Sequence, residues 1–129
     1  MAAVELLATG AQSRTGESTP VDVSDHALLR LDVTARADMG KVPQADIWIE
    51  TGRSADGPWH VASHIRLHAG QPPTSPSAWP ADSVTRVTLG TVDGFARVRW
   101  VARATANSAD GDPGLTLGVD GVGIGGAEV

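Results

Sequence analysis

The segment HALLRLDVTARAD, residues 26–38, alternates apolar and polar side chains along its length. Ala27, Leu29, Leu31, Val33 and Ala35 fall on one side, and Arg30, Asp32, Thr34 and Arg36 on the other, with Leu28 the exception. A period of two is the geometry of a strand with one buried face; a helix would bring its apolar positions back every three or four residues. The pattern recurs in ADIWIET, residues 45–51, where Ile47 and Ile49 oppose Asp46, Trp48 and Glu50. It recurs again in FARVRWVARA, residues 95–104. There Ala96, Val98, Trp100, Ala102 and Ala104 oppose Arg97, Arg99 and Arg103, interrupted only by Val101.

Shorter extended candidates are VELLA at 4–8, PVDV at 20–23, SVTRVTLG at 83–90 and LTLGVDGVGI at 115–124. VELLATGAQ reads as strand, because Gly10 cuts short any helix begun there. Fifteen glycines and eight prolines separate most of these runs. Six to eight short antiparallel strands between frequent turns predict an all-β fold, a sandwich or barrel. With 129 residues the chain has the size of one domain and can bury one hydrophobic core.

The longest irregular stretch is HAGQPPTSPSAWPADS, residues 68–83, with Pro72, Pro73, Pro76 and Pro80. Such a run excludes helix and central strand and predicts an extended excursion. It serves either as a crossover between sheets or as a functional loop, and Trp79 within it either plugs one end of the sandwich or anchors a partner. NSADGDPG at 107–114 reads as an acidic turn. The glycine-rich GVGIGGAEV at the C-terminal end is expected to be mobile, or to order only against a neighbour.

Composition excludes several functions. There is no cysteine, so disulfides, thiolate metal sites and cysteine nucleophiles are absent. A formal net charge of −5 argues against nucleic-acid binding. No apolar run approaches the ~20 residues of a membrane helix, and the acidic Glu5 does not suit a signal peptide. The expectation is a soluble chain made in a cytoplasm, with no membrane and no nucleic-acid partner.

His60, His64 and His68 are spaced by four, as metal ligands on a helix are. Val61, Ile65 and Leu67 between them restore strand alternation and place the histidines on the polar side. On a strand, residues four apart lie ~13 Å from each other, too far to share one ion. Asp56-Gly57 reads as the turn of a hairpin, with Trp59 packing over it. Asp110-Gly111-Asp112 lacks the rest of a calcium loop, no glycine pattern opens a helix, and no nucleophile elbow is present. No metal, no cofactor and no enzyme activity are expected.

Arg97, Arg99 and Arg103 form the sharpest surface feature. They either pair across strands with Asp32, Asp46 or Glu50, or form a basic stripe that docks on an acidic protein surface.

The units LLRLDVTARAD, ADIWIETGRSADGPWHVAS and VTRVTLGTVDGFARVRWVARA together resemble small β-sandwich virion proteins of tailed bacteriophages. The middle unit holds Ile49, Ser54, Asp56, Gly57, Trp59, Val61, Ala62 and Ser63 in the places of a recurring hydrophobic, Ser, Asp-Gly, Trp, Val-Ala-Ser arrangement. The likeness spans roughly residues 4–104. It implies a single jelly-roll-like β-sandwich and a structural role, most like the head decoration or cement proteins that brace the outside of a capsid. The implied partner is the major capsid protein, with the chain as a dimer or trimer on the outer shell. Arg97, Arg99, Arg103, Trp79 and Trp48 are the expected contact residues. The competing readings are a small tail or baseplate component, and a carbohydrate-binding adhesin using Trp48, Trp59 and Trp79 as stacking platforms.

Overall fold

The alternating segments pair into two antiparallel sheets. The structure, a computed structural model, describes residues 2–13, 15–37, 44–68, 83–89, 94–103 and 115–125, and among these every regular element is a strand. The strands are β1 (Ala2–Gln12), β2 (Thr15–Glu17), β3 (Val21–Asp22), β4 (Leu28–Ala37), β5 (Gln44–Gly52), β6 (Trp59–His68), β7 (Ser83–Leu89), β8 (Phe95–Arg103) and β9 (Leu115–Ile124). The first sheet runs β1-β9-β4-β7; the second runs β2-β8-β5-β6, with β3 also on β8.

The pairing is nested. The innermost ladder is β5 with β6, followed outward by β4 with β7, β2 and β3 with β8, and β1 with β9. Two further ladders, β4–β9 and β5–β8, complete the sheets. If β2 and β3 count as one interrupted strand, eight strands wrap as a folded-over ribbon, which is the jelly roll.

Each sheet turns its apolar face inward. Leu29, Leu31, Val33 and Ala35 of β4 meet Leu115, Leu117 and Val119 of β9 on one side of a single core. Ala45, Ile47 and Ile49 of β5 and Ala96, Val98, Trp100 and Ala102 of β8 supply the other. Each fully buried Leu, Ile or Val contributes about 1.5–3 kcal/mol relative to exposure. Among the described residues Trp100 is the one large aromatic in the core, and its indole N–H donates to the Ser13 carbonyl (3.0 Å) while its ring packs on Gly16 of β2.

Three sequence expectations change. First, β1 runs through Gly10 to Gln12, because ladder bonds to β9 resume there after register shifts at Glu5/Leu7 and Leu7/Gly10. Second, β2 is a strand that its three residues do not announce. Third, the glycine-rich segment up to Ile124 is neither loose nor dependent on a neighbouring molecule: it belongs to β9, held between β1 and β4. Glycine is needed there for close approach. A Cβ on Gly121 would run into the Arg30 carbonyl oxygen and stand 2.9 Å from the Leu31 Cα. The acidic 107–114 turn, most of the 68–83 loop with Trp79, and residues 126–129 lie outside the described residues.

The glycines give a paired test. Gly121→Ala is expected to destabilise by about 1–3 kcal/mol, the usual cost of forcing a methyl into packed backbone. Gly10 has nothing within 4 Å of a built Cβ and no positive φ. Gly10→Ala is therefore expected to leave stability unchanged or raise it by up to about 1 kcal/mol, read as urea midpoints at constant m.

Candidate functional site

The polar face of the second sheet gathers the side chains singled out in the sequence. On β5, Asp46, Trp48 and Glu50 point away from the core, opposite the buried Ala45, Ile47 and Ile49. Register places Arg97 of β8 beside Glu50, and Arg99 beside Trp48. On the other side of β5, His64 of β6 stands beside Trp48 and Arg66 beside Asp46. Directly opposed residues share a face, so these groups form one array.

The array is continuous. Arg97 Nε donates to Glu50 Oε1 (3.0 Å), while its Nη1 lies 3.0 Å from Glu17 Oε2 of β2. Arg99 Nε donates to Glu50 Oε2 (3.4 Å). The Arg99 guanidinium lies 4.1 Å from the Trp48 ring centroid. The His64 imidazole stacks on Trp48 with centroids 5.0 Å apart and planes within 8°. His64 Nε2 is 2.8 Å from Asp46 Oδ1, which also accepts from Arg66 Nε at 2.8 Å. A carboxylate only accepts, so this geometry puts the hydrogen on Nε2. Both central carboxylates are buried, at 7% exposure for Asp46 and 5% for Glu50. Each is held by charged donors, the condition under which a carboxylate leaves water without a large penalty.

The turn at the end of this face is built by small polar groups. The Gly57 N–H donates to the Ser54 carbonyl (3.0 Å), and the Ser54 hydroxyl donates to the Gly57 carbonyl (2.8 Å). Trp59 then folds back over Gly52, where a side chain would stand 2.8 Å from the Pro58 carbonyl oxygen and 3.1 Å from the Trp59 ring. Arg97 covers the Trp59 ring at 4.3 Å. The expectation that Trp59 packs over the hairpin turn is met.

A bulge alters the histidine arrangement. Ile49 faces Ser63 while the next residue, Glu50, faces Val61, so Ala62 is the extra residue on β6. Beyond it the alternation inverts. His60 moves to the side of Thr51, away from His64, and Val61 turns outward to become the most exposed large hydrophobic among the described residues, at 54%. The three histidines therefore do not share one polar face. Among the described residues no group of three His, Cys, Asp or Glu is placed to hold a metal ion.

Of the two readings of the arginine row, cross-strand pairing is the one found for Arg97 and Arg99: Glu50 lies between them and Glu17 caps Arg97. Of the three partners that the sequence offers, Glu50 takes these two arginines and Asp46 takes Arg66 and His64. Asp32 belongs to the other sheet, where it accepts from Arg86 of β7. Arg103 sits opposite Gln44 at the end of β8, with its side chain outside the described set. Trp48 does lie on the outer face, yet its ring is flanked by β6 and β8 neighbours, Arg99 from one strand and His64 from the other. Neither π face is left open for a sugar. The sequence reading did not find His64, Arg66 and Glu17 as members of the array; their signal is a charged or polar residue at the paired register position, visible only once the register is known.

Two carboxyls outside the array are held below the ordinary 3.8. For Asp32 the main cause is the hydrogen bond from Arg86; for Asp22 it is the Ser24 hydroxyl, helped by the Ser24 N–H. A carboxyl depressed in the fold stabilises it above the unfolded-state value, and that contribution fades as pH falls through the folded value.

Comparison with known proteins adds a fold relationship. No family model matches the chain, and no curated protein matches it. Among solved structures, the two-sheet sandwich is similar to a known crystal structure. This is the PBSX exported protein XepA, at 16% sequence identity and a TM-score of 0.58 over 98% of this chain. The chain spans 38% of the XepA chain.

Two predictions follow from these geometries. Glu50→Gln removes the charge shared by two arginines and is expected to destabilise by about 1.5–3 kcal/mol in equilibrium denaturation. Asp32→Asn is expected to lower the denaturation midpoint slightly near pH 6; the difference from wild type should begin to shrink below about 3.8 and vanish once pH has fallen through the lower folded value, where both chains carry a neutral side chain.

Proposed function

We propose that this chain is a structural, non-enzymatic protein of a tailed-phage particle, and specifically a decoration protein on the outer surface of the head. The observation that carries the reading is the fold. A jelly-roll sandwich resembling small virion proteins in its strand and hairpin units is also similar, over 98% of its length, to XepA of the phage-like element PBSX. The outer face of the second sheet supports a binding rather than a catalytic role. Among the described residues its buried carboxylates, Asp46 and Glu50, are tied to arginines of β6 and β8, which suits a binding surface.

The mechanism is mass action. A protein that binds the assembled shell and not its free subunits stabilises the shell by RT ln(1 + [L]/Kd) per site, about 2.7 kcal/mol when free protein is at 100 Kd. Many such sites, each bridging two subunits of the major capsid protein, oppose internal DNA pressure without any chemistry. In this reading the chain acts as a dimer or trimer on the shell and is made in the cytoplasm of the bacterial host. The adhesin alternative loses support from the covering of Trp48 by Arg99 and His64 and of Trp59 by Arg97.

The test mixes purified protein with mature capsids that lack it and sediments them. Stoichiometric co-sedimentation with mature shells, and weaker binding to empty proheads, is the expected result. Presence in purified virions without capsid binding would move the assignment to the tail or baseplate. Absence from virions would remove the particle role altogether. Tryptophan emission is expected to be unchanged by added glycans.

A further inference from the structure

We propose that β2 is a strap that opens on its own, while the two sheets stay folded, and uncovers Trp100. The chain changes sheets at this strand. Before it, Gln12 is the last residue of the β1–β9 ladder, in the first sheet. After it, the buried Ser18 is pinned to β8 of the second sheet. Its N–H donates to the Val98 carbonyl and its hydroxyl accepts from the Val98 N–H, both at 2.8 Å. The strap is thus fastened on either side, one end to each sheet.

Between those fastenings the hold is light. Thr15 pairs with Val101, Gly16 with Trp100 and Glu17 with Arg99. Thr15 and Glu17 are exposed and Gly16 has no side chain, so β2 buries no apolar side chain of its own. No other described strand pairs with its outer side. Glu17 Oε2 lies 3.0 Å from Arg97 Nη1, but the Glu17 side chain is 57% exposed, and ion pairs open to water hold weakly. A short edge segment with little apolar burial is the kind of element that opens below global unfolding. What it covers is of the opposite kind. Trp100 is 4% exposed, and a Cβ on Gly16 would run into its ring. Its indole N–H is held by the Ser13 carbonyl, just ahead of the strap, at 3.0 Å. Opening releases that N–H to water. It also frees the ladder positions of Arg99, Trp100 and Val101, a stretch of β8 edge with which an extended segment can pair. The inference concerns the chain itself and stands whether or not the particle role does.

The test needs only the isolated protein. Hydrogen exchange followed by NMR at one pH compares the Trp100 indole N–H with the backbone N–H groups of Leu31 and Val119, which lie in strands with a neighbour on each side. Each rate is divided into that of the same group in an unfolded chain. The expected result is protection at Trp100 at least about tenfold below that at Leu31 and Val119. Its dependence on urea below the unfolding midpoint should be slight, because a local opening exposes little surface. Val33→Ala weakens the core of the first sheet away from the strap. It should lower protection at Leu31 and leave that at Trp100 unchanged. Equal protection at all three groups in the wild-type chain, with the same steep urea dependence, would overturn the proposal without any variant. So would a fall at Trp100 in Val33→Ala that matches the fall at Leu31.

Discussion

The β5–β6 ladder, closed by the Ser54–Gly57 turn, sets the register from which the rest of the second sheet is built. Side chains alternate strictly across a sheet, so a slip of one residue would carry Ile47 and Ile49 to solvent and Asp46 and Glu50 into the core. Gly52 lets Trp59 lie flat over the end of that ladder, which holds the two strands together where the chain reverses. With β5 in place, β8 on its other side has only one register that buries Ala96, Val98 and Trp100 while setting Arg97 and Arg99 against Glu50. Apolar burial and ion pairing thus select the same alignment. That agreement between levels is what gives a sequence a single structure.

Buried carboxylates give this face its character. Asp46 and Glu50 lie beneath a cover of guanidinium and aromatic groups rather than in the open. Removing either partner alone would strand a charge, so the array behaves as a unit. A surface of this kind carries its described carboxylates paired rather than open to water. Of the two arrangements that the linear sequence leaves open for the arginines, it is the paired one. It suits recognition by shape and by a few localised charges.

Much of the architecture is legible in single segments. Leu29 to Ala35, Ala45 to Thr51 and Ala96 to Ala102 each declare a strand and its buried side through their own alternation. What is not legible depends on a partner far along the chain. Strand β2 has three residues, Thr15 to Glu17, with no pattern of their own; it exists because β8 offers an edge and Trp100 needs the space above Gly16. The bulge at Ala62 satisfies the alternation of β6 as written only up to that point, so the placement of His60 misleads. The candidate contact residues divide in the same way. Arg97, Arg99 and Trp48 are identifiable as outward-facing from sequence, but which acid each arginine meets is a property of register. Residues 115–124 read as a strand, while Gly121 and Gly123 also read as the start of a loose glycine-rich end; close packing between two neighbours decides for the strand.

Nested pairing also has a kinetic side. Strand β1 is made before the other described strands, and its ladder partner β9 is made after them. Until then Val4, Leu6 and Leu7 have no sheet to join. Closing contacts across nearly the whole chain places this fold among the slow, high-contact-order topologies. During synthesis the inner hairpin can assemble while the outermost strand waits, an unpaired apolar edge open to chaperones or to another nascent copy. The two bulges that interrupt β1 roughen that edge, and so make it a poorer template for the wrong partner while the right one is still being made.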